Sequence, residues 1–216
     1  MNTHIRDRLP DHAAEVDDRG LAIDQVGIRG LRLPVRVMDR DRDEQATVAT
    51  LDVSVGLPAD RKGTHMSRMV EVLEGTDGEL TLRTLPALLG TLQRRLETDA
   101  VHLVARFPYF LRKRAPVSGA ASWLDVDCTF RASRTGADTA FTLVVAVPVT
   151  SLCPCSKAIS AYGAHNQRST VEVAVTADTM VWVEDVVAAI EGAASAPVHA
   201  LLKREDEKFV TEQAYD

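Results

Sequence analysis

Between Trp123 and Arg131 the chain alternates strictly, with Leu124, Val126, Cys128 and Phe130 interleaved with Asp125, Asp127, Thr129 and Arg131. A period of two belongs to a strand with one face in a core and the other in water. It returns in Leu51, Val53 and Val55 against Thr50, Asp52 and Ser54, and again in Val171, Val173 and Val175. Further strand patterns cover residues 30–38, 101–107 and 140–149. Between them the period lengthens to that of a helix. Leu85, Leu88, Leu89, Leu92 and Leu96 share one face behind Thr84, the expected N-cap. A shorter helix is expected over residues 65–73, and another over 179–193 through Val183, Val186, Val187 and Ile190.

The order is therefore two strands, two helices, two strands, then two strands and a helix. This predicts an α+β chain with a ββααββ unit over residues 26–134 and an incomplete copy over 135–216. Residues 1–25 are acidic, without periodicity, and are expected to be loosely ordered. The charged run 203–208 offers no apolar face, so on this pattern a second helix and a closing strand pair are missing from the copy. The expectation is a fragment, or a protein with impaired folding and activity. The run 39–44 between the first two strands reads as a solvated hairpin turn, and Cys128 as an inert core thiol.

Net charge is −6 and the pI is near 5.5, which argues against a general binder of nucleic acid or anionic membrane. No apolar stretch is long enough to span a bilayer, and residues 1–18 lack the basic start and greasy run of a secretory signal. Three cysteines, two of them in one short motif, are poor material for a disulfide framework and point to a cytoplasmic protein.

That motif is Ser151-Leu-Cys-Pro-Cys-Ser-Lys157, followed by Tyr162-Gly-Ala-His-Asn-Gln-Arg-Ser169. Cys153 and Cys155 are two apart, so on extended backbone they face the same way, and Pro154 disfavours helix at Cys153. His165 returns through a glycine-containing turn. Thiolate with imidazole suits a divalent metal such as zinc, iron or manganese, given one more ligand. Spacing leaves that ligand open among Glu205, Asp206, Glu207 and Glu212. The bland reading is a redox pair, but a single intervening proline departs from the usual two-residue spacing.

A second cluster, Arg61, Lys62, His65 and Arg68, surrounds Gly63 and Thr64 just before the first helix. Such a loop suits phosphate. With Lys157 and Arg168 it suggests a highly anionic small substrate such as a nucleoside triphosphate.

Four segments, Lys62-Gly-Thr-His-Met-Ser-Arg68, the Cys-Pro-Cys run, Tyr162–Ser169, and Leu201-Leu-Lys-Arg with Asp206-Glu-Lys and Val210–Tyr215, resemble the type IB GTP cyclohydrolases. The resemblance runs from about residue 25 to the end. It implies the tunnelling fold, in which tandem ββααββ units build barrels, and a homotetramer with active sites at subunit interfaces. It also implies conversion of GTP and water to 7,8-dihydroneopterin triphosphate and formate, towards folate and, in many bacteria, deazapurines of the queuosine type. The metal would be Mn2+ or Zn2+, with Fe2+ admissible. Carried onto this chain, its ligands are Cys155, His165 and Glu207, with Cys153 as the second, catalytically important thiol. Which thiol is the ligand stays open. The resemblance leaves Cys153 or His65 to move protons, and gives Arg61, Lys62, His65, Arg68, Lys157 and Arg168 to the triphosphate. A same-fold nitrile reductase, using a nicotinamide cofactor, and a catalytically impaired metal-binding scaffold are the alternatives.

Overall fold

The computed structural model describes residues 11–13, 15–161, 163–177 and 179–213. Strands β1 (Ile23–Asp39) and β2 (Asp43–Leu57) precede helices α1 (Met66–Glu74) and α2 (Leu85–Leu96). Strands β3 (Ala100–Arg114), β4 (Ala121–Thr135) and β5 (Asp138–Leu152) follow, then a short helix α3 (Pro154–Ile159) and strand β6 (Asn166–Val175). Helix α4 (Val183–Ala193), the two-residue β7 (Ala196–Pro197) and α5 (Arg204–Gln213) complete the order. The sheet is seven-stranded, in the order β1-β2-β3-β4-β5-β6, with β7 against β5. The α+β class read from the alternation is present. Several strands run longer than expected: β3 continues past Phe107 to Arg114 and buries Tyr109 on the way.

The chain divides into two compact units. The first holds residues up to Val37, 50–105 and 131–141. In β2, Leu51, Val53, Val55 and Leu57 are buried, as their alternation requires. Helix α1 packs on α2, burying Met69, Val72 and Leu73 from one and all five predicted leucines from the other. Each buried leucine contributes about 1.5–3 kcal/mol.

Thr84 is the residue flanking α2, but the expected side-chain cap is absent. Pro86 holds the second helical position and has no N–H to offer. The Thr84 hydroxyl instead accepts the Thr81 N–H at 3.0 Å, and Thr81 O accepts the Leu85 N–H at 3.0 Å. Gly27 in β1 is sterically required: a Cβ there would sit 1.9 Å from the Val53 carbonyl oxygen.

The segment expected to be loosely ordered falls partly outside the described residues. Within them, the backbone N–H of Lys62 donates to Glu15 O, that of Gly63 to Ala13 O, and that of Asp17 to Asp60 O.

The second unit holds Met38–Ala49, Arg106–Phe130 and Thr142–Asp216. Cys128 is 1% exposed and burial pushes its thiol well up, in keeping with an inert core residue. The β1–β2 connection is a hairpin turn, yet it is not simply solvated. Asp39 is buried and accepts the N–H groups of Asp41 and Arg42, each at 3.0 Å, and the Gln45 amide at 3.0 Å. Arg40 pairs with Asp185 of α4 and stacks 5.3 Å from the centre of the Trp182 ring. A charged turn so placed is an anchoring element.

Helix α4 starts at Val183, later than expected, with Glu184 and Asp185 in the first turn where the helix dipole favours carboxylates. The second helix thought missing is present as α5. Its apolar periodicity is weak, and its start is fixed by Asp206, whose side chain accepts the Lys203 N–H at 2.8 Å. That is the reach-back half of a capping box.

Candidate active site

Strand β5 delivers the Cys-Pro-Cys run and β6 carries the return. The two pair antiparallel from Leu143 opposite Val175 to Leu152 opposite Asn166. At the end of β5, Cys153 keeps an extended backbone (φ −84°, ψ 108°), as a following proline demands. Pro154 then opens α3, where its missing N–H costs nothing. This corrects the expectation that both thiols leave one face of an extended run. Cys155 lies inside the helix and is exposed, whereas Cys153 is half-buried at its threshold.

Ser156 ties this corner together. Its hydroxyl donates to Cys153 O at 3.1 Å and accepts the His165 N–H at 3.2 Å. The Cys153 N–H donates to His165 O at 3.2 Å. The stretches bearing Cys153 and His165 are thus held by three hydrogen bonds. The Ser156 backbone N–H, assisted by its hydroxyl, holds the Cys153 thiol below its ordinary range. Lys157 is exposed on α3, and Arg168 is exposed on β6 opposite Thr150. Tyr162, part of the same motif, lies outside the described residues.

Glu207 is exposed in the first turn of α5. Among the described residues no group of three or more histidine, cysteine, aspartate or glutamate side chains is gathered as a metal site. By donor type, the Cys153 thiol and the His165 imidazole fit a borderline divalent ion. The third position is not assembled with them. Asp206, one of the alternatives for it, is committed elsewhere: it is fully buried and accepts the N–H groups of Val117 and Ser118 at 2.9 Å and the Ser118 hydroxyl at 2.6 Å. Burial alone would raise its pKa, but the Ser118, Lys203 and Val117 donors outweigh that and hold it far below the carboxylate range.

The basic loop lies in the first unit, ahead of α1, with His65 as the helix-flanking residue. Arg61, Lys62, His65 and Arg68 each have a partner. Arg61 pairs with Glu97 at 2.9 Å and Lys62 with Glu15 at 2.6 Å. His65 Nε2 lies 3.1 Å from Asp11, and Arg68 donates to the Arg95 carbonyl at 3.3 Å. Sequence reasoning missed Ser156 and the two acidic partners Asp11 and Glu15. Pro154 as a first helical residue was the available signal for α3, and with it for Ser156.

An apolar groove of about 510 Å³ between β6 and α4, lined by Val171, Val173, Val186 and Ile190 among others, carries none of the predicted residues. Its one carboxylate, Asp185, is taken by Arg40. It has no chemistry to offer.

A sequence profile described as "Type I GTP cyclohydrolase folE2" matches residues 9–216. A protein of Azoarcus sp. named GTP cyclohydrolase FolE2 is 48% identical, over all of this chain and 81% of its own length. Proteins of the same name from Syntrophotalea carbinolica and Methylococcus capsulatus are each 50% identical over 96% of this chain and 78% of their own.

Proposed function

The chain belongs to the FolE2 family of type I GTP cyclohydrolases, and from that membership we propose that it converts GTP and water to 7,8-dihydroneopterin triphosphate and formate, the first step of folate biosynthesis. The observation that carries the reading to particular residues is the Ser156 tie, which joins the Cys153 and His165 stretches at the mouth of β5 and β6.

In its finer form the proposal is a type IB enzyme with the tunnelling fold, acting in the cytoplasm as a homotetramer. Apart from the short α3 and the two-residue β7, the succession β5, β6, α4, α5 follows the ββαα order of β1, β2, α1, α2, which supports tandem units. Cys153, His165 and Glu207 would hold a divalent ion, Mn2+, Zn2+ or Fe2+. Cys153 is preferred over Cys155 because it is half-buried and fixed to the His165 backbone. Such an ion, when bound, supplies a nucleophilic water at neutral pH. With Cys153 a ligand, Cys155 or His65 is left to carry protons to and from the opening imidazole ring of guanine.

Arg61, Lys62 and His65 on the loop before α1 and Arg68 in the first turn of that helix, with Lys157 and Arg168 near the Cys153 corner, are the proposed triphosphate ligands. Binding energy won on the phosphates, remote from the reacting carbon, fixes the ring in place. The test is GTP turnover by the purified chain with and without added Mn2+, following formate and the oxidised fluorescent pterin. Product from the wild type and none from His165→Ala supports the reading. Equal turnover by both overturns the site, and NADPH oxidation with a nitrile substrate in place of formate release overturns the function.

A further inference from the structure

Side-chain and backbone contacts join residues Asp11, Ala13 and Glu15–Asp17 to the loop 60–65, all within the first unit. Glu15 and Lys62 are paired twice, by their side chains at 2.6 Å and by the Lys62 N–H on Glu15 O at 3.1 Å. Asp11 lies on His65 at 3.1 Å. The Gly63 N–H donates to Ala13 O, and Val16 bridges antiparallel to Arg61. The loop therefore commits the Lys62 ammonium, the His65 imidazole and two backbone N–H groups to an acidic stretch of its own chain. These are the groups a phosphate would take.

We propose that Asp11 and Glu15, with the backbone around them, form an internal acidic plug, in which the two carboxylates stand in for phosphate oxygens on His65 and Lys62 and must leave before a polyphosphate can bind. The inference rests on the proposed role of this loop as a triphosphate site. The plug lies on the surface: Lys62 and Glu15 are 49% and 39% exposed, so an entering anion can reach and exchange with the pair. Lys62 and His12 hold the Glu15 carboxyl below its usual range, so it stays charged and competitive at neutral pH. Exchange of one anion for another keeps the loop neutralised in both states and sets a threshold polyphosphate concentration for engagement.

The experiment is calorimetric titration of the 216-residue chain with inorganic tripolyphosphate, using wild type, Asp11→Asn/Glu15→Gln, Lys62→Ala and all three substitutions together. Both acidic side chains are surface groups, and thermal melts confirm that the variants fold. The plug predicts about tenfold tighter binding by the Asp11→Asn/Glu15→Gln chain, and a loss of that gain once Lys62→Ala is added. Unchanged or weaker binding by the double variant, with Lys62→Ala still weakening the wild type, overturns the plug and leaves the triphosphate site standing. Indifference to Lys62→Ala overturns the site and the plug with it. Amide exchange supplies a second readout: saturating tripolyphosphate should raise exchange over residues 11–17, and unchanged protection there contradicts displacement.

Discussion

Ser156 Oγ accepts the backbone N–H of His165 at 3.2 Å, so a serine one turn past the first cysteine fixes where the imidazole-bearing segment begins. Ser156→Ala removes this bond and the one to the Cys153 carbonyl without touching a proposed ligand. Supporting groups of this kind are worth roughly 10- to 100-fold in metal affinity. Metal retention on equilibrium dialysis and GTP turnover should both fall by that factor, with the thermal midpoint little changed. Full metal content in the variant would refute the role.

Adjacent carboxylates on α5 should separate cleanly. Asp206→Asn leaves the Val117, Ser118 and Lys203 donors short of a charged acceptor, and the melting temperature should drop by several degrees. Glu207→Gln should leave melting unchanged and lower metal retention. Paired melting curves and metal analyses check both, and a reversed pattern would make Asp206 the ligand.

Tyr109, 1% exposed, donates its phenol to Glu184 Oε1 at 2.6 Å, while Glu184 Oε2 is buried with no hydrogen-bond partner among the described residues. Tyr109→Phe therefore strips a donor from a carboxylate already short of them. The expected loss is about 1–3 kcal/mol, read from the urea midpoint at unchanged m-value.

His199 should make the fold acid-sensitive. Its Nδ1 is buried with no hydrogen-bond partner among the described residues, and it faces Lys113, Glu191, Asp206 and the Arg114 backbone. Burial first, and Lys113 second, hold its pKa below the ordinary 6.5. The unfolded chain thus takes up a proton more readily than the folded one. The contribution is fully present above 6.5 and is lost as pH falls towards the depressed folded value. Urea midpoints between about pH 8 and pH 5.5 should fall in the wild type and fall less in His199→Gln. Equal slopes would remove His199 from the account.

Gly27→Ala tests the close approach of β1 to β2. With a Cβ placed 1.9 Å from the Val53 carbonyl, the strands must part, and the variant should express poorly or melt well below the wild type. An unaltered melt would contradict the geometry.

The alternating runs of β2 and β4 and the leucine stripe of α2 were legible because burial imposes a period on the sequence. Helix α5 was not, because a solvated helix held by a buried capping aspartate has little apolar rhythm. At the Cys-Pro-Cys corner, the extended backbone of Cys153 was legible from the proline after it. That Cys155 belongs to a helix was hidden, since proline both excludes helix for the residue before it and starts one itself. The partners of Lys62 and His65 were invisible for a different reason: tens of residues separate them from Glu15 and Asp11, and only the folded chain brings those carboxylates to the loop.

The strand order carries a consequence in time. Strands β1 and β2, and β4 and β5, are joined by tight turns at residues 40–42 and 136–137, so each pair can zip within about 1–10 μs. Pairing of β2 with β3 must close the chain across residues 58–99, an entropic toll that grows with the span. Docking of α1 on α2 shortens that span before the strands meet. The leucines of α2 thus govern how fast this sheet assembles, and a slow refolding phase would be sought first in variants of Leu89 and Leu92.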